Sequence, residues 1–145
     1  MSNDIGQRVR DSFSRQNLMS TLGARVERVA PGEVDIALPI RPEISQQHGF
    51  VHAGAIASIA DSACGYAALT LLDSDCGVLA VEFKINLMAP GAGETLLARG
   101  RVIKSGRTLS ICQADVVALK GGSERNVAVM IATIMNVRGR EGVAG

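Results

Sequence analysis

The fold is decided by the stretch HGFVHAGAIASIADSACGYAALTLL, which runs from His48 to Leu72. From Ala53 onward nearly every residue of this stretch is small or apolar, and this pattern predicts a helix that is buried on most of its sides. One carboxylate, Asp61, lies in the middle of the run. Because an uncompensated buried charge is very costly, Asp61 requires either a structural or a functional explanation.

The helix face around Asp61 carries small side chains. At about 100° per residue, small side chains surround Asp61 on the helical wheel: Gly54, Ala57, Ser58, Cys64, Gly65 and Ala68. The bulkier residues lie opposite: Ile56, Ile59, Ala63, Tyr66 and Thr70. Such a face lets another backbone or a narrow substrate approach closely. Structural alternatives stay open, since Asp61 could cap a loop or pair with a buried arginine, and Ser58 could bond the helix backbone.

The start of the predicted helix offers hydrogen-bond donors. The backbone N–H groups of Ala53, Gly54 and Ala55 have no helical partner, and the helix dipole adds partial positive charge there. This arrangement suits a carbonyl oxygen that becomes negative during acyl transfer. The amide of Gln46 lies a few residues upstream. Donors, a carboxylate and a narrow cleft together indicate a hydrolytic site that uses neither serine nor cysteine.

Other kinds of site are less well supported. His48 and His52 with Asp61 have the residue types of a metal site, but the third ligand is poorly placed, so no metal is expected. His52 has two open interpretations, a catalytic residue or a histidine bonded to backbone. Serine-hydrolase and nucleotide-binding motifs are absent from the sequence.

Composition excludes several classes of protein. The 145 residues suit one domain, residues 1–145, and the net charge of +1 gives no electrostatic basis for binding nucleic acid or an anionic membrane. Three scattered cysteines indicate packed, reduced thiols: Cys64, Cys76 and Cys112. No apolar signal core occurs at the N-terminus, so a cytoplasmic location is expected. A membrane span over residues 53–72 is disfavoured by its small residues and by Asp61.

The remaining elements are predicted from periodicity. An amphipathic helix is predicted over about residues 4–19, on the spacing of Ile5, Val9, Phe13 and Leu18. Two extended runs flank Pro31-Gly32, the central helix covers about 53–72, and a four-stranded meander follows, with a frayed tail at 139–145. In the first meander strand, alternation predicts one shared face: Leu79, Val81, Phe83, Ile85 and Leu87. The class is therefore α+β, an antiparallel sheet curled around a buried helix.

The stretch QQHGFVHAGAIASIADSACGYAA resembles the signature of hot-dog-fold thioesterases of the phenylacetate-degradation (PaaI-like) type. The positions that fit this signature in register are Gln46, Gly49, His52, Gly54 and Asp61. LAVEFKINLMAP and VIKSGRTLSICQADV resemble the family's next strand and hairpin, so the likeness extends over about residues 20–137. It implies a curved antiparallel sheet wrapped around a long central helix.

The resemblance also implies roles. Asp61 corresponds to the catalytic carboxylate, acting as general base or nucleophile, and the Ala53 N–H corresponds to the donor that polarises the thioester carbonyl. Gln46 would help to hold the carbonyl or water, and His52 would orient the loop. Two departures are that Ala53 replaces the usual glycine and Ala80 replaces a polar residue of some relatives. The family's site lies between two protomers, so an obligatory homodimer and a dimer of dimers, a homotetramer, are expected.

The expected function is hydrolysis of an acyl-CoA thioester, with coenzyme A as part of the substrate and no separate cofactor. Substrate contacts are expected from Gly49, Ser58 and Gly65, and phosphate contacts from Lys104 and Arg107, with Arg101 as a further candidate. An interpretation of equal weight is that these cations are ordinary solvated charges of the hairpin. Two other functions stay open, an acyl-thioester dehydratase and a non-catalytic acyl-CoA-binding domain. Aryl and medium-chain acyl groups fit the sequence equally well.

Overall fold

A six-stranded antiparallel sheet and one long helix make up most of the molecule. The computed structural model describes residues 2–145, so Met1 lies outside it. In chain order the elements are α1 (Ser2–Ser14), α2 (Asn17–Leu22), β1 (Arg25–Ala30), β2 (Glu33–Pro39), a 3-10 turn (Pro42–Ile44), α3 (Ala53–Leu69), β3 (Cys76–Leu87), β4 (Thr95–Ser105), β5 (Leu109–Lys120) and β6 (Ser123–Arg138).

The core lies between α3 and the concave face of the sheet. α3 packs against β2, β3, β4, β5 and β6, and its Ile59 and Ala63 side chains are fully buried. At Gly100 of β4 the two layers touch, because an added Cβ would lie 2.4 Å from the Ala63 carbonyl oxygen. The α+β prediction, with a sheet wrapped around a buried helix, is confirmed.

The strand order differs from the predicted meander. The order is β1-β2-β4-β5-β6-β3, so only β4, β5 and β6 form a meander, and β3 pairs with β6 at the edge of the sheet. The segment that connects β3 to β4 is bonded to earlier parts of the chain. Val51 N donates to the carbonyl of Gly91 (2.9 Å), and Ile40 N donates to the carbonyl of Glu94 (2.9 Å). These bonds carry the chain past the start of α3, so β4 enters the sheet beside β2.

A β-bulge divides β3 at Val81. Ala80 pairs with Ile134 and Glu82 pairs with Thr133, which leaves Val81 without a partner residue. Residues that pair directly lie on one face of a sheet, so Ala80 joins the buried Ile134 on the concave face. Leu79 pairs with the exposed Met135 on the convex face, whereas Phe83, Ile85 and Leu87 pair with buried residues. The single face predicted from alternation is therefore wrong for Leu79.

The predicted N-terminal helix is two helices. α1 ends at Ser14, the N–H groups of Arg15 and Gln16 bond to the carbonyls three residues before them, and α2 begins at Asn17. The break shifts the helical register. As a result Met19 is buried, while Leu18, the residue predicted to face the core, is 54% exposed.

The central helix also ends earlier than predicted, at Leu69. The guanidinium of Arg8 donates to the carbonyls of Leu72 (2.8 Å), Asp73 (2.9 Å) and Cys76 (2.7 Å), where the chain leaves the helix. The segment 139–145, predicted as a frayed tail, returns to the start of β3, where Gly145 N donates to the carbonyl of Cys76 (3.2 Å). The end of α3 is thus surrounded by both terminal segments.

Candidate active site

His52 caps the start of α3. Its backbone is extended, with φ −61° and ψ 137°, and its Nδ1 accepts a hydrogen bond from Gly54 N at 2.8 Å. Its carbonyl accepts from the N–H groups of Ala55 and Ile56. Of the three predicted free donors only the Ala53 N–H has no partner among residues 2–145, because those of Gly54 and Ala55 bond to His52. No described non-glycine residue has a positive φ, so alanine fits at position 53 without strain.

The loop before the helix is organised by Gln46. Its Oε1 accepts from His48 N (2.6 Å) and Phe50 N (3.3 Å), and its backbone N–H donates to the carbonyl of Phe50 (2.8 Å). Gly49 closes this turn with φ +88°, a conformation that favours glycine. Because Oε1 is used within the loop, the Nε2 amino group is the part of Gln46 that remains for a substrate.

These residues line a cavity, called here the loop cavity. It has a volume of about 500 Å³ and is lined by Gln46, His52 and Ala53 together with apolar side chains, among them Phe50, Leu87 and Met88. It combines a free backbone donor and a side-chain amide with an apolar wall. An acyl carbonyl oxygen placed at the Ala53 N–H would be polarised there.

Asp61 is partly buried and has no charged partner. Its Oδ1 is buried without any hydrogen-bond partner among the described residues, and no ion pair to it occurs there. Burial raises the pKa of the Asp61 carboxyl above its ordinary value. The structural alternatives, a loop cap or an arginine pair, are therefore not what the structure contains. Catalytic acids and bases commonly have a pKa that burial has shifted, and the unpaired Asp61 carboxylate shares this property.

Asp61 opens into a second cavity, called the Asp61 cavity, of about 430 Å³. Gly65, predicted to contact substrate, lines it as well. Sequence reasoning missed the other polar residues of its wall: Ser12, Arg15, Gln16, Ser62 and Tyr66. Tyr66 lies opposite Asp61 on the helical wheel, but its long side chain reaches this wall. The available signal was the presence of Ser62 and Tyr66, two hydrogen-bonding side chains, within an apolar run.

The two cavities are separate within one protomer. No described residue lines both of them. Asp61 follows Ala53 by eight positions along α3, a rise of about 12 Å. A single thioester carbonyl therefore cannot contact the Ala53 N–H and the Asp61 carboxylate of the same chain.

The other predicted residues lie outside both cavities. Ser58 Oγ donates to the carbonyl of Gly54 at 2.7 Å, the alternative considered for it from sequence. Lys104 and Arg107 are exposed around the β4–β5 turn, and Arg101 is paired with Asp115 at 2.6 Å. The part of the chain that the structure describes contains no cluster of three metal-ligating side chains. Among residues 2–145 no helix has the length and apolarity needed to cross a membrane.

Comparison with known proteins identifies the family. Residues 48–124 match the model of the thioesterase superfamily. A thioesterase family protein from Silicibacter pomeroyi is 47% identical, with a TM-score of 0.90 over 93% of this chain and 99% of that chain. The chain therefore belongs to the thioesterase superfamily, a class of hydrolases that cleave thioesters.

Two more distant structures share the hot-dog fold. The PaaI protein from the phenylacetic acid degradation operon of Escherichia coli is 21% identical, with a TM-score of 0.84 over 99% of this chain and 97% of that chain. A thioesterase from Staphylococcus aureus is 20% identical, with a TM-score of 0.79 over 84% of this chain and 99% of that chain. The latter was solved with a glutamine, and separately with a glutamate fifteen positions later, replaced by alanine.

Proposed function

We propose that this protein is an acyl-CoA thioesterase whose active site combines the Asp61 carboxylate of one protomer with the Ala53 N–H of another. The observation that carries the proposal is the unpaired Oδ1 of Asp61, buried at the wall of a cavity large enough for an acyl group. A carboxylate so placed costs stability, and a catalytic role accounts for that cost. Gln46 and Asp61 also stand fifteen positions apart, the spacing of the two residues replaced in the Staphylococcus aureus protein.

Thioester hydrolysis can be written with the groups that this proposed site supplies. The thioester carbonyl oxygen accepts hydrogen bonds from the Ala53 N–H and the Gln46 Nε2, and these bonds strengthen as the oxygen becomes negative. Acting as general base, Asp61 takes a proton from water while that water attacks the carbonyl carbon. The C–S bond then breaks, and the coenzyme A thiolate receives the proton. A raised pKa makes the Asp61 carboxylate a better base than an ordinary aspartate.

A nucleophilic route uses the same groups. An Asp61 oxygen attacks the carbonyl, coenzyme A leaves, and water hydrolyses the resulting anhydride. Single-turnover hydrolysis in water labelled with ¹⁸O separates the two routes. Label in the Asp61 side chain would exclude the simple general-base route, in which label enters only the released acid.

A site shared between protomers is supported by the edge of the sheet. β3 is an edge strand, and several of its side chains are exposed at about half of their surface: Leu79 (47%), Val81 (56%), Phe83 (47%) and Leu87 (51%). An edge strand with these exposed apolar side chains is a ready template for pairing with a second copy. Such pairing would bring the Asp61 cavity of one protomer toward the loop cavity of its partner. We propose a homodimer on this basis, with a tetramer and a cytoplasmic location as further predictions.

Subunit complementation tests the proposal. Ala53→Pro removes only the backbone N–H, because proline is favoured at the first position of a helix and His52 already has the extended backbone that precedes proline. Asp61→Asn removes the carboxylate. Each variant alone should lose activity on acyl-CoA by orders of magnitude, while Ala53→Gly, which keeps the N–H, should stay active.

An equal mixture of the two inactive variants, unfolded and refolded together, should recover activity. Half of the dimers would be mixed, and each would hold one complete site out of two, so about a quarter of wild-type activity is expected. Recovery near zero would show that both groups act within one protomer. An Asp61→Asn variant with near-normal turnover would refute the assignment of the carboxylate.

A further inference from the structure

A short segment after the last strand closes one end of the Asp61 cavity. Residues 142–145, called here the closing segment, come after β6, and all four of them line the cavity. Gly145 N donates to the carbonyl of Cys76 at 3.2 Å, and Val143 N donates to the carbonyl of Arg140 at 3.1 Å. The mechanism proposed above uses none of these residues, so their place in the cavity wall needs a separate explanation.

The closing segment leaves no gap against either side of the cavity. A Cβ added at Gly77 of β3 would overlap the carbonyl oxygen of Val143. A Cβ added at Gly145 would lie 2.5 Å from a side-chain carbon of Leu69, far closer than van der Waals contact allows. The closing segment therefore bridges the start of β3 and the end of α3.

This close approach explains why position 77 is glycine. Gly77 lies inside β3 and pairs with Val137, and glycine within a strand lowers stability. Its φ lies outside the left-handed region, so a side chain there would not strain the backbone. Close packing of a second backbone is the other reason for glycine in a strand, and the backbone of Val143 supplies it.

The cavity runs along α3 from Asp61 to the closing segment. Asp61, Gly65 and Leu69 line it at a spacing of four residues, which places them along one side of the helix. On the facing strand Val78 lies opposite Gly65, since a Cβ added at Gly65 would lie 3.8 Å from Val78 Cγ2. Gly145 then lies against Leu69, about two turns beyond Asp61. The carboxylate and the closing segment are therefore at opposite ends of this side of the cavity.

The sheet side of the cavity between these ends is apolar. Its side chains come from β3 and β6, namely Val78, Ala80 and Ile134. Gly65 adds no side chain on the α3 side, so space remains between helix and strand. An apolar chain fits this lining, whereas the charged phosphates of coenzyme A do not.

The wall opposite is polar, but its groups are already bonded. It consists of Ser12, Arg15, Gln16, Ser62 and Tyr66. Gln16 Nε2 donates to the Tyr66 hydroxyl (3.0 Å), and Gln16 Oε1 accepts from Ser62 Oγ (3.2 Å). Ser12 Oγ lies 3.1 Å from the Tyr66 hydroxyl, and the exposed Arg15 donates to the carbonyl of Asp11 at 3.2 Å. A hydrocarbon chain can lie beside this wall without leaving its polar groups unbonded.

Resting on the proposed function, we propose that the closing segment determines specificity by limiting the length of the acyl chain. With the thioester carbonyl at Asp61, the acyl chain extends past Gly65 toward Leu69. Asp61 and Leu69 are eight helical positions apart, a rise of about 12 Å, roughly the length of a ten-carbon chain. A longer chain meets the backbone of the closing segment, which is bonded to Cys76 and packed on Gly77.

Two saturated substrates test this inference, octanoyl-CoA and tetradecanoyl-CoA, each used below its critical micelle concentration. The wild-type protein should show a kcat/KM at least about tenfold higher for octanoyl-CoA, since the longer chain exceeds the space before the closing segment. Gly77→Ala displaces the Val143 backbone and should bring this ratio close to one. Glu141→Ala, at an exposed residue outside the cavity lining, is the matched control and should keep the wild-type ratio.

Deletion of residues 143–145 gives a second variant, which removes the wall without altering β3. It should also bring the ratio close to one, and it decides the inference if Gly77→Ala does not fold. A ratio near one in the wild type, or the wild-type ratio in either folded variant, overturns the role of the closing segment and leaves the thioesterase proposal intact.

Failure of the proposed function itself would give a different result, namely no hydrolysis of either substrate. In that case calorimetry with the octyl and tetradecyl thioethers of coenzyme A measures binding alone. Tighter binding of the octyl thioether, with the difference lost in Gly77→Ala, supports the closing segment as the limit on chain length. Equal binding of the two thioethers, or binding of neither, overturns it.

Discussion

Arg8 in the first helix donates a hydrogen bond to the carbonyl oxygen of Cys76, the first residue of β3, at 2.7 Å. The same guanidinium reaches the carbonyls of Leu72 and Asp73, so one side chain satisfies several backbone acceptors at the end of α3. The positive charge also lies at the negative end of the helix dipole. The N-terminal helix is thereby tied to the element that carries Asp61.

We expect Arg8→Met to destabilise the protein by about 2–4 kcal/mol, because partly buried carbonyls would lose a charged donor. Urea denaturation followed by circular dichroism measures this difference. Arg10→Met, whose side chain is exposed on the same helix, is the matched control and should change stability by less than about 0.5 kcal/mol. Equal stability of the two variants would mean that the Arg8 bonds contribute nothing net.

Asp61→Asn should be inactive but no less stable than the wild type at pH 7. Burial raises the pKa of Asp61 in the folded protein, so the folded chain holds this proton to a higher pH than the unfolded chain does. The charged side chain therefore lowers stability progressively as pH rises above about 3.9, and asparagine removes that penalty. Melting temperatures at pH 7 and near pH 4 should show the difference narrowing at the lower pH. A lower Tm for the variant at pH 7 contradicts this account.

The activity itself should depend on the same group. If the Asp61 carboxylate acts as base or nucleophile, kcat/KM should fall as pH decreases through the raised pKa, with a midpoint above the ordinary value of about 3.9. Steady-state rates across the acidic range, on protein shown to be folded at each pH, measure this midpoint. A profile that stays flat down to pH 4 would exclude ionisation of Asp61 as a requirement.

His52 should act by capping and orienting rather than by chemistry. His52→Ala loses the acceptor for the Gly54 N–H and should cost about 1 kcal/mol of stability together with most of kcat. His52→Asn supplies a good N-cap acceptor and should recover both. Denaturant midpoints and kcat for the two variants check this expectation. Recovery of stability without recovery of kcat would instead assign His52 a catalytic role.

A charge on the β3 edge should disrupt both assembly and activity. Val81→Lys places an ammonium on the exposed edge, whereas Leu18→Lys places one on α2 at a residue of similar exposure, 54% against 56%. Light scattering should show a smaller species for Val81→Lys alone, with a parallel loss of thioester hydrolysis. An active monomer, wild type or variant, would contradict a site built from two chains.

The sequence predicts the central helix and the position of Asp61 on it better than it predicts the strand order of the sheet. Asp61, His52 and the α+β class follow from periodicity and helix-end chemistry, which are local properties. Strand order does not, because the bonds from Val51 to Gly91 and from Ile40 to Glu94 are long-range. Tyr66 lies opposite Asp61 on the helical wheel, and a wheel does not show that its long side chain reaches Ser12 and Gln16. The break before Asn17 lacks proline or glycine and so gives no sequence signal.

The bulge at Val81 has an evolutionary consequence. β3 contains one residue, Val81, that has no paired residue on β6. Loss of this position by deletion would leave every other side chain of the strand facing the direction it faces now. Position 81 is therefore the point at which descendants of this chain can shorten the strand while Ala80 continues to form part of the wall beside Asp61.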